Sequence, residues 1–104
     1  MVKQITVQTL NRQLDKNKIH LLDVREEFEL NICSIKGSIH IPMQQIGNRL
    51  NELSGQLEYA VICHSGVRSH HTCEFLYKKG FIVYNVIGGI DEWALSIDND
   101  MQRY

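Results

Sequence analysis

Short apolar runs alternate along the chain with segments whose apolar residues recur at helical spacing. Ile5–Val7 reads as a short first strand. Thr9 is placed to cap a helix running to about Asp15, with Leu10 and Leu14 on its inner face. Ile19–Val24 (IHLLDV) has the continuous apolar character of a buried strand, and Glu26–Leu30 suits a short helix. Ser38–Ile41 is strand-like and is stopped by Pro42, the only proline. Across Gln44–Leu53, Ile46, Leu50 and Leu53 share one helical face. Tyr59–Cys63 (YAVIC) is the strongest strand signal, being short and apolar and containing a β-branched pair. A helix follows over Arg68–Lys79, with Thr72, Phe75, Leu76 and Lys79 at helical spacing. Gly80 is placed at its C′ position, and Lys78 and Lys79 suit its negative end. Phe81–Ile87 predicts another strand, Gly88 and Gly89 a turn, and Ile90–Leu95 a final helix anchored by Trp93.

Strands alternating with helices predict an α/β domain with a mostly parallel sheet. Ligands in such sheets lie beyond the carboxyl ends of the strands. Cys63 falls at such a point, between the YAVIC strand and the next helix.

The segment Cys63-His64-Ser65-Gly66-Val67-Arg68-Ser69 therefore carries the candidate chemistry. Amides at a helix start have no intrahelical acceptor and can point at an anion. Gly66 allows a tight or left-handed turn. Arg68 adds a fixed cation, so a thiolate at Cys63 is expected to be stabilised. His64 is adjacent, but adjacency does not say whether its ring faces the sulfur. An isolated strand-end cysteine is ordinarily a packing residue. The succession of strand, Cys, Gly loop, Arg and helix is what points to a nucleophile.

With 104 residues and 43% hydrophobic content, the chain is sized for one domain over 1–104, with about 97–104 expected to fray. A net charge of −1 gives no reason to expect nucleic acid or a membrane as partner. The N-terminus lacks a signal-peptide pattern and no run is long enough to span a bilayer, so a cytoplasmic location is expected. Three cysteines, an odd number, argue against a disulfide framework. Cys73 reads as a packing residue within its helix. Cys33 is left open. Asp23 and Arg25, just past a strand, either brace the loop by an ion pair or hydrogen bonds, or Asp23 caps the following helix.

Cys63–Ser69 resembles the C-x-x-G-x-R-S active loop of single-domain rhodanese-like sulfurtransferases. The likeness extends to Leu22-Asp23-Val24-Arg25-Glu26-Glu27-Phe28-Glu29, to Ile35-Lys36-Gly37-Ser38-Ile39-His40-Ile41-Pro42, to Gly80-Phe81 with Val83, and to Gly88-Gly89-Ile90-Asp91-Glu92-Trp93. These segments occur in the family's order and cover roughly residues 4 to 96. One departure is Cys33-Ser34, where the family often has Gly-His. The resemblance implies a three-layer α/β fold with a central, mostly parallel five-stranded sheet flanked by helices. It further implies that Cys63 accepts a sulfane sulfur as a persulfide and passes it on, with His64, Ser65, Gly66, Val67, Arg68 and Ser69 forming the substrate cradle. The implied donor is a small sulfur-bearing anion or a protein persulfide, and the implied acceptor is cyanide or a thiol. No metal or cofactor is called for.

Three other readings compete. A cysteine phosphatase or arsenate reductase needs C-x5-R, whereas four residues separate Cys63 from Arg68. A metal site from Cys63, His64, His70, His71 and Cys73 lacks ligand spacing, since adjacent His70 and His71 point about 100° apart on a helix. A regulatory or sulfur-relay module of the same fold, with low turnover on simple donors, is the third.

Overall fold

A computed structural model describes residues 2–104 of the chain. Five strands, β1 (Lys3–Ile5), β2 (His20–Asp23), β3 (Ile39–His40), β4 (Glu58–Ile62) and β5 (Ile82–Val86), form one sheet in the order β1-β5-β4-β2-β3. Every pairing is parallel. β4 is central, which explains its unbroken apolar sequence: a central parallel strand is covered on both faces. The helices are α1 (Val7–Asp15), α2 (Glu27–Ile32), α3 (Val67–Lys78) and α4 (Gly89–Ser96). None is long and apolar enough to cross a membrane.

The period-two alternation of β4 divides the core. Ala60 and Ile62 face a cluster built with Val7 and Leu10 of α1 and Ile90 and Trp93 of α4. Tyr59, Val61 and Cys63 face the other layer, with Ile46 and Leu53 and with Cys73 and Leu76 of α3. This alternation sends Cys63 toward the α3 side of the sheet.

Several local expectations shift. The first strand is Lys3–Ile5, two residues earlier than Ile5–Val7. Thr6, not Thr9, caps α1: its side chain accepts the Thr9 amide at 3.1 Å. The segment expected as one helix over Gln44–Leu53 is two 3-10 turns, Met43–Asn48 and Leu50–Glu52. Gly47 and Asn48 are weak helix formers, and Arg49 leaves the helical region at φ −127° between the turns. On α3 the inward residues are Ser69, Thr72, Cys73 and Leu76, while Phe75 is 38% exposed. The end of α3 is as expected: Gly80, at φ +94°, donates to the Tyr77 carbonyl and Phe81 to that of Leu76, the Schellman pattern.

The stretch after α4, expected to fray, is instead tied to the domain by side-chain contacts. Ile97 and Met101 lie against the α1–α4 cluster, Arg103 pairs with Asp91 at 2.8 Å, and Tyr104 reaches α2.

Candidate active site

β4 ends at Ile62 and the chain turns into α3 through Cys63–Gly66. Gly66 takes φ +112°, a conformation that side chains strain to adopt, and serves as N-cap of α3 without a capping side chain. The Cys63 side chain, 1% exposed, lies beneath this turn. Its Sγ accepts the Gly66 amide at 3.1 Å and the Ser69 amide at 3.4 Å, with Ser69 Oγ at 3.3 Å. Hydrogen bonds of this kind favour negative charge on sulfur.

The loop's opposite face is held by α4. Ile90 donates its amide to the Cys63 carbonyl at 2.9 Å and Asp91 to that of His64 at 3.1 Å. With these carbonyls drawn outward to a helix N-terminus, the loop amides are free to face the sulfur. Gly89, at φ +61°, makes this close approach possible: a Cβ there would stand 2.4 Å from the His64 oxygen and 2.6 Å from that of Cys63. Gly89 is therefore part of the loop's support, a role that the sequence reading of Gly88-Gly89 as a turn does not contain.

Arg68 does not stand free beside the sulfur. Its two terminal nitrogens bind both oxygens of Glu29, at 2.6 and 2.8 Å. Glu29, in α2, is buried and also accepts the Glu26 amide and the Tyr104 hydroxyl. The Arg68 hydrogen bonds hold the Glu29 carboxyl down to about 2, against the opposing effect of burial. The pairing in turn raises Arg68 further above the ordinary guanidinium range.

Asp23 and Arg25 form a buried ion pair at 2.7 Å. Of the two readings open for Asp23, capping is not found, since Glu26 is the N-cap of α2; Asp23 instead accepts the Arg25 amide and guanidinium. Burial opposes the Arg25 charge, but hydrogen bonds to Asp23 and Tyr104 more than offset it. Arg25 also donates to the carbonyls of Glu29 and Cys33 and to Tyr104 Oη. Its side chain thus reaches the α2 segment that presents Glu29 to Arg68, and not the Cys63–Ser69 loop.

The remaining sequence candidates are spread around this centre. The His64 ring stacks on Tyr104, centroids 4.1 Å apart. Val67 is exposed at the first turn of α3, and Ser65 lies in the loop. Cys33 is half-buried and shares a small crevice with His64 and Tyr104. His70 and His71 lie against Glu74 on the outer face of α3, and Cys73 is buried. The Cys63–Cys73 residues weighed as metal ligands are thus not gathered, and no cluster of three or more His, Cys, Asp or Glu suited to a metal occurs among the described residues.

Sequence reasoning assigned no role to Glu29, Asn85 or Tyr104. Asn85 of β5 accepts the Ser69 hydroxyl and donates to the Gly66 carbonyl at 3.2 Å. A polar residue inside an otherwise apolar strand was the available signal for it.

Comparison with known proteins agrees with this fold. The family model described as Rhodanese-like domain matches residues 6–96. A sulfurtransferase of Allochromatium vinosum is 32% identical, over 90% of this chain and 90% of its own. The crystal structure of a rhodanese-related protein from Thermoplasma volcanium superposes with a TM-score of 0.87 at 36% identity, covering 91% of this chain and 93% of that one. A rhodanese-like domain protein from Staphylococcus aureus gives 0.86 at 31% identity, covering 99% of both. The five-stranded parallel sheet, the loop after its central strand and these matches lead to one assignment: the chain belongs to the rhodanese-like sulfurtransferase family.

Proposed function

We propose that this chain transfers a sulfane sulfur through a persulfide on Cys63. The observation that carries the reading is the sulfur's setting: Sγ at the end of the central strand, accepting two loop amides at a helix start. In the first half-reaction the Cys63 thiolate attacks the outer sulfur of a donor such as thiosulfate. A new Sγ–S bond forms, the donor's S–S bond breaks, and sulfite leaves with the electron pair. In the second, cyanide or a thiolate attacks the terminal sulfur. The Sγ–S bond breaks, thiocyanate or a new persulfide departs, and the Cys63 thiolate returns. Splitting one transfer into two displacements is nucleophilic catalysis and gives ping-pong kinetics.

His64 to Ser69 form the cradle around the transferred atom. The amides of Val67 and Arg68, in the first turn of α3, have no i−4 acceptor within the helix and are available to it. The four-residue spacing from Cys63 to Arg68 suits one sulfur atom better than a tetrahedral phosphate. One observation favours a relay role with low turnover on simple donors. The Arg68 charge is already neutralised by Glu29, which weakens the pull on a free oxyanion and leaves a protein-borne persulfide as the better donor.

Initial rates with thiosulfate and cyanide test the reaction class. The expected result is parallel double-reciprocal lines and no aryl phosphate hydrolysis above a Cys63→Ser control. Intersecting lines, or Cys63-dependent phosphatase activity, would refute it.

A further inference from the structure

Asn85 lies in β5, next to the central strand, and is 5% exposed. A buried amide costs stability unless its donor and acceptor groups are both bonded. Its Nδ2 donates to the Gly66 carbonyl at 3.2 Å and to Gln4 Oε1 at 3.5 Å. A backbone carbonyl can only accept, so this contact fixes the orientation of the amide, with Oδ1 toward Ser69. Oδ1 in turn can only accept. The Ser69 hydroxyl must therefore give its single proton to Asn85.

Ser69 Oγ is also 3.3 Å from Cys63 Sγ. With its proton committed to Asn85, Oγ offers the sulfur only lone pairs. In the thiol form, the Cys63 S–H donates to Ser69 Oγ, and the chain S–H···O–H···O=C ends on an amide anchored to the loop backbone.

We propose that Asn85 is a positioning residue that sets the direction of the Ser69 hydroxyl, making it an acceptor for the Cys63 thiol and not a donor to the thiolate. The hydrogen bonds to a thiolate Sγ are then left to the backbone amides of Gly66 and Ser69. A thiolate held by fewer donors is less abundant at a given pH but more nucleophilic, since thiolate nucleophilicity falls as donors stabilise the anion. Asn85 thereby favours the reactivity of each thiolate over their number. The proposal rests on Cys63 being the nucleophile, but its test needs no sulfur transfer.

The groups around Cys63 that carry or could carry charge are Arg68 with its partner Glu29, Cys73 from α3, His64 in the loop, the Asp23–Arg25 pair after β2, Asp91 at the start of α4, and Tyr104. Substitutions at Ser69 and Asn85 leave all of them in place, so their influence is common to every protein compared.

The experiment is the rate of Cys63 alkylation by iodoacetamide against pH, read at the Cys63 peptide by mass spectrometry, for wild type, Ser69→Ala, Asn85→Leu and the double variant. Ser69→Ala removes an acceptor of the thiol proton, so its midpoint should move to lower pH. Asn85→Leu frees the Ser69 hydroxyl to donate to the thiolate. Its midpoint should also fall, its high-pH plateau should drop severalfold, and both changes should vanish when Asn85→Leu is added to Ser69→Ala. An upward shift in Ser69→Ala alone, which needs only that one conservative variant to fold, would show that Ser69 donates to the thiolate and would overturn the proposal. So would Asn85→Leu effects that persist undiminished without the Ser69 hydroxyl.

Discussion

Cys63 and Cys73 are both buried and both belong to the core layer between the sheet and α3, yet they are held differently. Cys63 lies where a strand has ended and a helix has just begun, and its sulfur accepts two amides. Cys73 lies inside α3, where the backbone amides are taken by the helix itself. Burial pushes its thiol up to about 12. Exposure does not separate the two thiols; access to unpaired amides does. In a parallel sheet such amides occur at one end of each strand-to-helix turn, so position in the topology decides which cysteine can carry chemistry.

The largest effect expected from breaking this contrast is at the sulfur atoms themselves. Cys63→Ser should reduce sulfur transfer to the uncatalysed rate while circular dichroism remains that of the folded chain. Cys73→Ser should keep transfer activity, with a stability loss of ~1–3 kcal/mol from a hydroxyl placed in an apolar setting. Substantial transfer by Cys63→Ser would remove the distinction.

A smaller but still large effect should come from Gly89→Ala, which leaves both cysteines intact. The added Cβ would collide with the carbonyls of Cys63 and His64 and must displace the loop. A misplacement near 1 Å costs about a hundredfold in rate, so transfer should fall by about that factor. Cys73 should stay as protected from alkylation as in wild type. Near-normal transfer would show that the α4 contact does not set the loop geometry.

The third effect concerns stability. Glu29 is held down to about 2 from an ordinary value of 4.5. A folded-state value below the unfolded one adds stability that is complete above about pH 4.5 and is lost as pH falls toward 2. At 1.36 kcal/mol per unit the ceiling is about 3 kcal/mol, and solvent at the one-third-exposed Arg68 screens it to about 1–2 kcal/mol. Urea denaturation of wild type should therefore weaken through that window more steeply than that of Glu29→Gln. Equal slopes would mean that the Arg68–Glu29 pair adds nothing to folding.

What could be read from the chain was what local order determines. YAVIC announced a doubly covered strand because five consecutive residues show it, and Gly80 announced the end of α3 because a Schellman turn is built from neighbours. The loop from Cys63 to Ser69 was legible for the same reason. Gln44–Leu53 does not form the single helix its apolar spacing predicts, because Gly47 and Asn48 are weak helix formers, which spacing does not register. Partners across the fold were hidden. Glu29 meets Arg68 across 39 positions, and the Tyr104 hydroxyl meets Glu29 across 75. Periodicity carries no record of such distances. The resemblance brought Glu29 into view as part of a motif, without showing that it neutralises the loop arginine. Asn85 stood in plain sight as a polar residue between apolar ones, but its task depends on which loop lies beside β5.

The central claim is that Cys63 alone carries the transferred sulfur. Intact mass spectrometry after incubation with thiosulfate or a small-molecule persulfide, followed by cyanide, tests it most directly. The expected result is a gain of one sulfur atom, mapped by peptide analysis to Cys63, absent in Cys63→Ser and removed by cyanide with release of thiocyanate. No gain with either donor, or a labile sulfur on Cys33 or Cys73, would contradict it.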